Sequence, residues 1–292
     1  MPARPASVLY KRDVPRPPSQ PPRPSPVDRR GILAPDAGAA RFRLTLHAPS
    51  ERLARWVDRY WVVRWDLRGA PPYAQETLPY PAVNVVCGTH RPGVHGVNTA
   101  RFVAHLSGVG WALGARFRPG GFVPFLPPPW TMAALRDREV PAEALFGDAG
   151  RRLDAAVGAP DDDRERVARM DDFCARRAPP GDAQGPRVTP LIALLGDDPS
   201  LVRVDLLAAR AGLSMRAIQR LFLYEVGVPA SQVVRRVRMQ EAAARAARLG
   251  ATDGTWAGLA AELGYTDQSH FIRDFKRQIG QTPADYARRC AG

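Results

Sequence analysis

The sequence predicts an α+β protein: a β-rich, mixed N-terminal half followed by an all-α half in which two helix-turn-helix units are joined by a long helix. Three observations predict this. Short apolar runs separated by Gly and Pro occupy residues 36–125, the pattern of strands and turns. Residues 178–188 hold three prolines and two glycines, a break between periodic regions. Beyond them prolines become sparse, helical spacing of apolar residues takes over, and two segments of similar pattern recur.

Composition bounds the rest. A chain of 292 residues corresponds to roughly two domains at about 150 residues each. Apolar residues are 45% and charged residues 24%, as in ordinary globular proteins. No run approaches about 18 apolar residues, so no membrane partner is expected. The first residues lack an apolar segment before Lys11 and Arg12, unlike a secretory signal. Cys87, Cys174 and Cys290 are odd in number and far apart, which fits a reducing cytoplasm. The net charge of +13 favours a polyanionic partner.

The elements follow in chain order. Residues 1–35 hold 10 of the 30 prolines and are expected to form a disordered Pro/Arg-rich tail. Residues 41–46 alternate Phe42, Leu44 and Leu46 with polar neighbours, predicting a half-buried strand. Ser50 is a suitable N-cap for a short helix carrying Leu53, Trp56, Val57 and Tyr60. Strands are then predicted at Trp61 to Trp65, Ala82 to Cys87, Phe102–Val103 and Trp111–Phe117. From Met132 the pattern turns helical, with Leu153, Val157, Val167, Met170 and Cys174 on apolar faces. The expected division is a β-rich domain at 36–178 with trailing helices, a linker at 179–187 and a helical domain at 188–292.

In the helical part, Thr189-Pro190 reads as an N-cap followed by Pro at the first helical position. A short helix runs from Val204 to Ala211, Gly212-Leu213 forms a turn, and Ser214 caps the next helix. Ile218, Leu221 and Phe222 face inward there, and Arg216, Gln219, Arg220 and Leu223 face outward. The arrangement repeats at Trp256 to Leu263, Gly264-Tyr265-Thr266 and a helix capped by Asp267. Phe271, Phe275 and Ile279 face inward on that helix. Helix, tight Gly turn and amphipathic helix is the helix-turn-helix pattern. Residues 230–249 lack Gly and Pro and predict a connecting helix of about 30 Å, close to the roughly 34 Å of one DNA turn.

Residues 188–290 resemble the DNA-binding domain of the AraC/XylS family of bacterial transcription regulators. The resemblance rests on Gly264-Tyr265, on Ser269, Phe271, Phe275 and Lys276, and on Gly280, Thr282, Pro283 and Tyr286. Ser214, Gln219, Arg220 and Phe222 of the first unit fit as well. The resemblance implies a sequence-specific regulator, activator or repressor, reading double-stranded DNA with two recognition helices. It carries base contacts onto Arg216, Gln219 and Arg220, and onto Gln268, Ser269, His270, Ile272 and Arg273. Arg forks guanine and Gln forks adenine; Ile272 either meets a thymine methyl or packs internally. Arg235, Arg236 and Arg238 are candidates for phosphate contacts or for packing, and Lys276 for a phosphate contact.

Arg59-Tyr60-Trp61-Val62 and Arg116 to Gly121 resemble the sensor half of some of these regulators. That implies signal binding, dimerisation, or both. RNA polymerase, a small-molecule effector and a second copy are therefore further partner expectations. Arg116 and Arg118 beside the Gly-Gly turn are read either as anion ligands or as structural residues. No catalytic, cofactor or metal residue is expected. His90 and His95 lie five apart without an acidic neighbour, and no phosphate-binding loop or G-x-S-x-G motif is present. Cys87 reads as an inert core residue. The rival readings are a small-molecule or metal-dependent barrel enzyme fused to a DNA-binding module, and a non-specific architectural DNA-binding protein.

Overall fold

The β-rich half is built on one long strand. In the computed structural model, which describes residues 33, 41–180, 184–249 and 256–291, β2 (Val57–Asp66) is the centre of pairing. It pairs antiparallel with β1 (Arg43–His47) on one side and β7 (Val109–Phe117) on the other. With β4 (Asn84–Gly88), β5 (Gly93–His95) and β8 (Glu139–Val140), the sheet order is β1-β2-β7-β4-β5-β8. A separate two-stranded sheet pairs β3 (Tyr73–Thr77) with β6 (Phe102–Leu106). The predicted strands all appear, whereas β3, β5 and β8 go beyond the prediction. β5 and β8 are too short to show a period, and β3 and β8 depend on partners distant in sequence.

The helix expected from Ser50 is instead a turn over residues 51–56, and Val57 already opens β2. Val57 pairs with Phe117, and the Trp56 carbonyl accepts the Arg118 N–H at 2.7 Å. Leu53, Trp56, Val57 and Tyr60 are all buried as expected. The spacing identifies the buried side chains correctly, but interstrand bonds take the backbone beyond Trp56.

The arginines beside the Gly-Gly turn are engaged internally. Asp58 Oδ2 accepts from Arg116 Nε at 2.9 Å and from Arg59 Nε at 2.8 Å. Arg116 also lies over the Tyr80 ring, and Arg118 Nε donates to the Ala54 carbonyl. Structural cross-linking is therefore the role their geometry supports, and anion binding is not. Burial alone would raise the Asp58 carboxyl, but the charges and bonds of Arg116 and Arg59 outweigh it and hold it lowered. A lowered carboxyl stabilises the fold fully above its unfolded value near about 3.9 and loses this as pH falls through the folded value. Asp58→Asn is expected to cost about 2–3 kcal/mol at neutral pH, near the low end for broken buried pairs. In urea titrations the gap between wild type and variant should close below about pH 4; a gap independent of pH would refute the assignment.

Helices α1 (Met132–Leu135), α2 (Ala142–Gly158) and α3 (Asp163–Ala175) cover the sheet. Leu153, Val157, Val167, Met170 and Cys174 are buried, as their spacing predicts. Tyr60 on β2 donates its hydroxyl to Asp171 of α3 at 2.9 Å, tying strand to helix.

The C-terminal part contains α4 (Val188–Asp197), α5 (Val204–Arg210), α6 (Met215–Glu225), α7 (Ala230–Leu249), α8 (Trp256–Glu262), α9 (Gln268–Ile279) and α10 (Pro283–Ala291). Thr189 does not cap α4. The helix starts one residue earlier, and the Thr189 hydroxyl donates to the Pro119 carbonyl at 2.8 Å. The Val188 N–H is satisfied from a distance by the Glu225 carboxylate at 3.0 Å. A buried acceptor from α6 thus replaces the local cap.

Packing divides the chain differently from the proline-rich break. One core runs from Leu53 through the sheet and α1–α3 into α4–α6, ending at Val233 and Val234 of α7. A second core holds Met239, Ala242, Ala243 and Ala246 of α7 with α8–α10, joined by Leu78 and Leu33. The first helix-turn-helix unit is therefore packed in one core with the sheet. Of the expected tail, Leu33 is described: it is buried, and its N–H donates to the Glu76 carbonyl at 3.0 Å. Residues 1–32 and 34–35 of that expectation lie outside the described residues.

Candidate nucleic-acid interface

The first unit is α5, a turn and α6. Gly212 in the turn has φ 65°, a backbone region costly for any residue with a Cβ. Ser214 then caps α6 by accepting the Ala217 N–H at 3.2 Å. Ile218 and Phe222 are fully buried and Leu221 nearly so, which fixes the rotation of the helix. The opposite face presents Arg216, Gln219 and Arg220 to solvent. Leu223 and Tyr224 beside them are also exposed, at 46% and 67%.

The second unit repeats the construction. Gly264 has φ 72°, and Asp267 accepts the His270 N–H at 2.7 Å to cap α9. Phe271, Phe275 and Ile279 are completely buried. Ser269, His270, Arg273 and Lys276 are exposed, and Gln268 is half-buried. Ile272 is half-buried and packs against the second core, so of its two readings internal packing has contacts in this structure. Among the described residues, Arg216, Arg220 and Arg273 take part in no ion pair; Arg273 Nε donates to the Ser269 carbonyl of its own helix at 3.3 Å, which leaves its two terminal nitrogens to face acceptors.

Both caps are testable. Ser214→Ala and Asp267→Ala each remove an acceptor for a helix N-terminal N–H and are expected to cost about 1 kcal/mol. Denaturation midpoints measure this. An unchanged midpoint in both variants would mean that neither cap holds its helix.

Helix α7 does more than space the units. Val233 and Val234 face the first core, and Met239, Ala242 and Ala246 face the second, so one rigid element is packed in both. Arg238 donates to the Val202 carbonyl at 3.1 Å and stacks 4.6 Å from the centre of the Tyr265 ring. Tyr265 in turn donates to Asp274 at 2.6 Å, and burial with this bond raises its phenol, which stays a donor. Arg236 is 6% exposed and donates to the Thr99 carbonyl of the N-terminal half. Of the two roles open to these arginines, packing is what the geometry gives Arg236 and Arg238. Arg235 is exposed, 4.0 Å from Asp274.

The N-terminal half reaches the end of α9 too. Arg101 pairs with Glu76 and donates to the Ile279 carbonyl at 3.2 Å, and Arg289 of α10 meets Glu76 at 2.8 Å. Gln240 donates to the Leu78 carbonyl at 2.9 Å. Sequence reasoning misses these contacts, because no local spacing marks an arginine as the cap of a helix elsewhere.

Among the described residues, no group of three or more His, Cys, Asp or Glu is placed to hold a metal ion. His95 Nε2 lies 2.8 Å from the Arg91 carbonyl, and its Nδ1 faces Glu139. Burial pushes the Cys87 thiol up, and that of Cys174 up to about 12, so neither is a thiolate at neutral pH. Among the described residues, no helix is long and apolar enough to cross a membrane.

Comparison with known proteins bears on both halves. Residues 207–289 match a family described as a helix-turn-helix domain, and residues 45–141 one described as a domain of unknown function (DUF6597). The regulatory protein SoxS of Escherichia coli (strain K12) is 32% identical over 88 residues, covering 30% of this chain and 79% of SoxS. SoxS of Salmonella typhimurium (strain LT2) is 31% identical over the same shares. Among solved structures, ToxT from Vibrio cholerae aligns over 86% of this chain and 100% of its own, with 9% identity and a TM-score of 0.37. A superposition that loose transfers no detail to this chain.

Proposed function

The chain belongs to the AraC/XylS family of bacterial transcription regulators, and from that membership we propose a sequence-specific regulator that reads two successive major-groove segments of one duplex. One observation carries the reading: two capped helices of matching construction, each with an exposed polar face, are held by a shared rigid helix. Twenty residues of α7 span about 30 Å, near the length of one DNA turn.

The roles follow from chemistry. Arg216, Arg220 and Arg273 offer forked donors to guanine O6 and N7. Gln219 and Gln268 offer the donor and acceptor pair that adenine takes. Ser269 and His270 lie on the leading turn of α9, where a recognition helix meets base edges. Lys276 and Arg235 are the exposed candidates for phosphate. Ile272 adds apolar contact at most along its exposed edge.

In this reading residues 188–292 are the DNA-binding part and 36–178 the sensory or dimerisation part, with 179–187 between them. A small-molecule effector, a second copy and RNA polymerase are the further partners, and the site of action is the cytoplasm, where the DNA lies. The chain acts by binding, with no reaction of its own.

The test is fluorescence anisotropy with DNA from upstream of its own gene, against scrambled DNA and across a salt series, followed by genome-wide selection of binding sites. One segment bound specifically at physiological salt supports the reading. Equal binding to all sequences in both experiments, with the salt slope of general polycation binding, would leave the architectural alternative.

A further inference from the structure

The two recognition helices share one register but are equipped differently at their far ends. Counted from the caps Ser214 and Asp267, Arg216, Gln219, Arg220 and Leu223 of α6 stand where Ser269, Ile272, Arg273 and Lys276 stand in α9. The last turn of α9 carries the cations Lys276 and Arg277, and that of α6 carries none. Lys276 is exposed and suits a phosphate; Leu223, at the same place, does not.

Leu223 lies at the centre of its face. At about 3.6 residues per turn it is roughly 20° round the helix from Arg216, between Gln219 and Arg220. Ile218, Leu221 and Phe222 point away from it into the core. Leu223 is 46% exposed, and among the described residues it packs against none of the hydrophobic cores. Met215 and Tyr224, the other exposed large apolar residues of α6, stand at the two edges of that face, roughly 80° and 100° from Leu223. On α9 the apolar residue nearest the matching face, Ile272, is half-buried against the second core.

A duplex seated on Arg216, Gln219 and Arg220 covers Leu223 as well. Against a phosphate or a polar base edge a leucine displaces water without replacing its hydrogen bonds, which costs free energy. The apolar group that the major groove offers is the C5-methyl of thymine. We infer that Leu223 reads a thymine through that methyl and is a specificity-determining residue of the first unit. The inference rests on the DNA reading above. The first unit then gives up a phosphate contact for a base contact at the position where the second unit does the reverse.

The test uses the full chain and the duplex recovered by the selection of binding sites. Each thymine is replaced in turn by uracil, which pairs identically and lacks the methyl, and affinity is read by anisotropy. At a thymine in the half bound by the first unit, uracil is expected to weaken wild-type binding about fourfold, the factor for one buried methyl-sized group. In Leu223→Ala that ratio should fall to about one, as a double-mutant cycle requires of two groups in contact. Leu223→Lys, which copies the residue of α9 in this register, should also lose the discrimination while steepening the salt dependence by roughly one charge. No uracil effect in wild type, or the same effect in Leu223→Ala, overturns the assignment. Unchanged affinity of Leu223→Ala for every duplex overturns it too, and gives the exposed leucine to a protein partner. In each of these cases Arg220→Ala still weakens specific binding. Loss of that dependence, with no sequence preference in wild type, is instead the failure of the DNA reading, and it takes this inference with it.

Discussion

Arg220→Ala combined with Arg273→Ala is expected to lower affinity for the cognate duplex by about 2–6 kcal/mol, with weak binding to scrambled DNA nearly unchanged. Each arginine stands exposed on its own recognition helix. A forked contact to guanine contributes about 1–3 kcal/mol of discrimination. The two helices belong to different cores and share no side-chain partner, so the losses should nearly add. Anisotropy titrations of the single and double variants give the result. Equal losses on cognate and scrambled DNA would reassign both residues to phosphate, since phosphate contacts weaken binding on every sequence and reduce its salt dependence.

Phe271→Ala is expected to cost about 3–5 kcal/mol, the range for emptying a buried aromatic site. Phe271 is completely buried, with its ring 5.4 Å from Tyr265 and 5.7 Å from Phe275. Its core holds α8–α10 and the second half of α7, apart from the larger core of the sheet and first unit. Damage should therefore be local. Hydrogen exchange should accelerate in α8–α10 while β2 and β7 stay protected, and specific DNA binding should fall with the second recognition helix. A loss below about 1 kcal/mol, or exchange rising equally across sheet and helices, would show that the second core is not a separate unit.

Both expectations rest on residues that local sequence spacing marks out. Ser214 and Asp267 cap the helices that their positions predict, and the inward faces of α6 and α9 are buried residue for residue. Gly212 and Gly264 take the backbone conformation that such tight turns demand. These are local signals. A cap acts across three residues and a helix face across four, so neighbours in sequence contain nearly the whole interaction.

What escapes the sequence is governed by contacts between distant residues. The segment after Ser50 carries a helical spacing and makes local turn bonds as far as Val57, but from Val57 on the backbone pairs with β7 and from Tyr60 with β1, so pairing overrides periodicity. Thr189 has the chemistry of a cap, yet Glu225, 37 positions away, accepts the Val188 N–H, and Thr189 turns to Pro119. Arg235, Arg236 and Arg238 look alike on a helix. The fold exposes one, places one under Tyr265 and buries one against Thr99, 137 positions away. The chain alone settled the two helix-turn-helix units and the faces their helices bury, because those energies are summed over adjacent residues. Only the tertiary structure decided that the first unit shares a core with the sheet and which arginines stay free, because burial is a property of the whole fold.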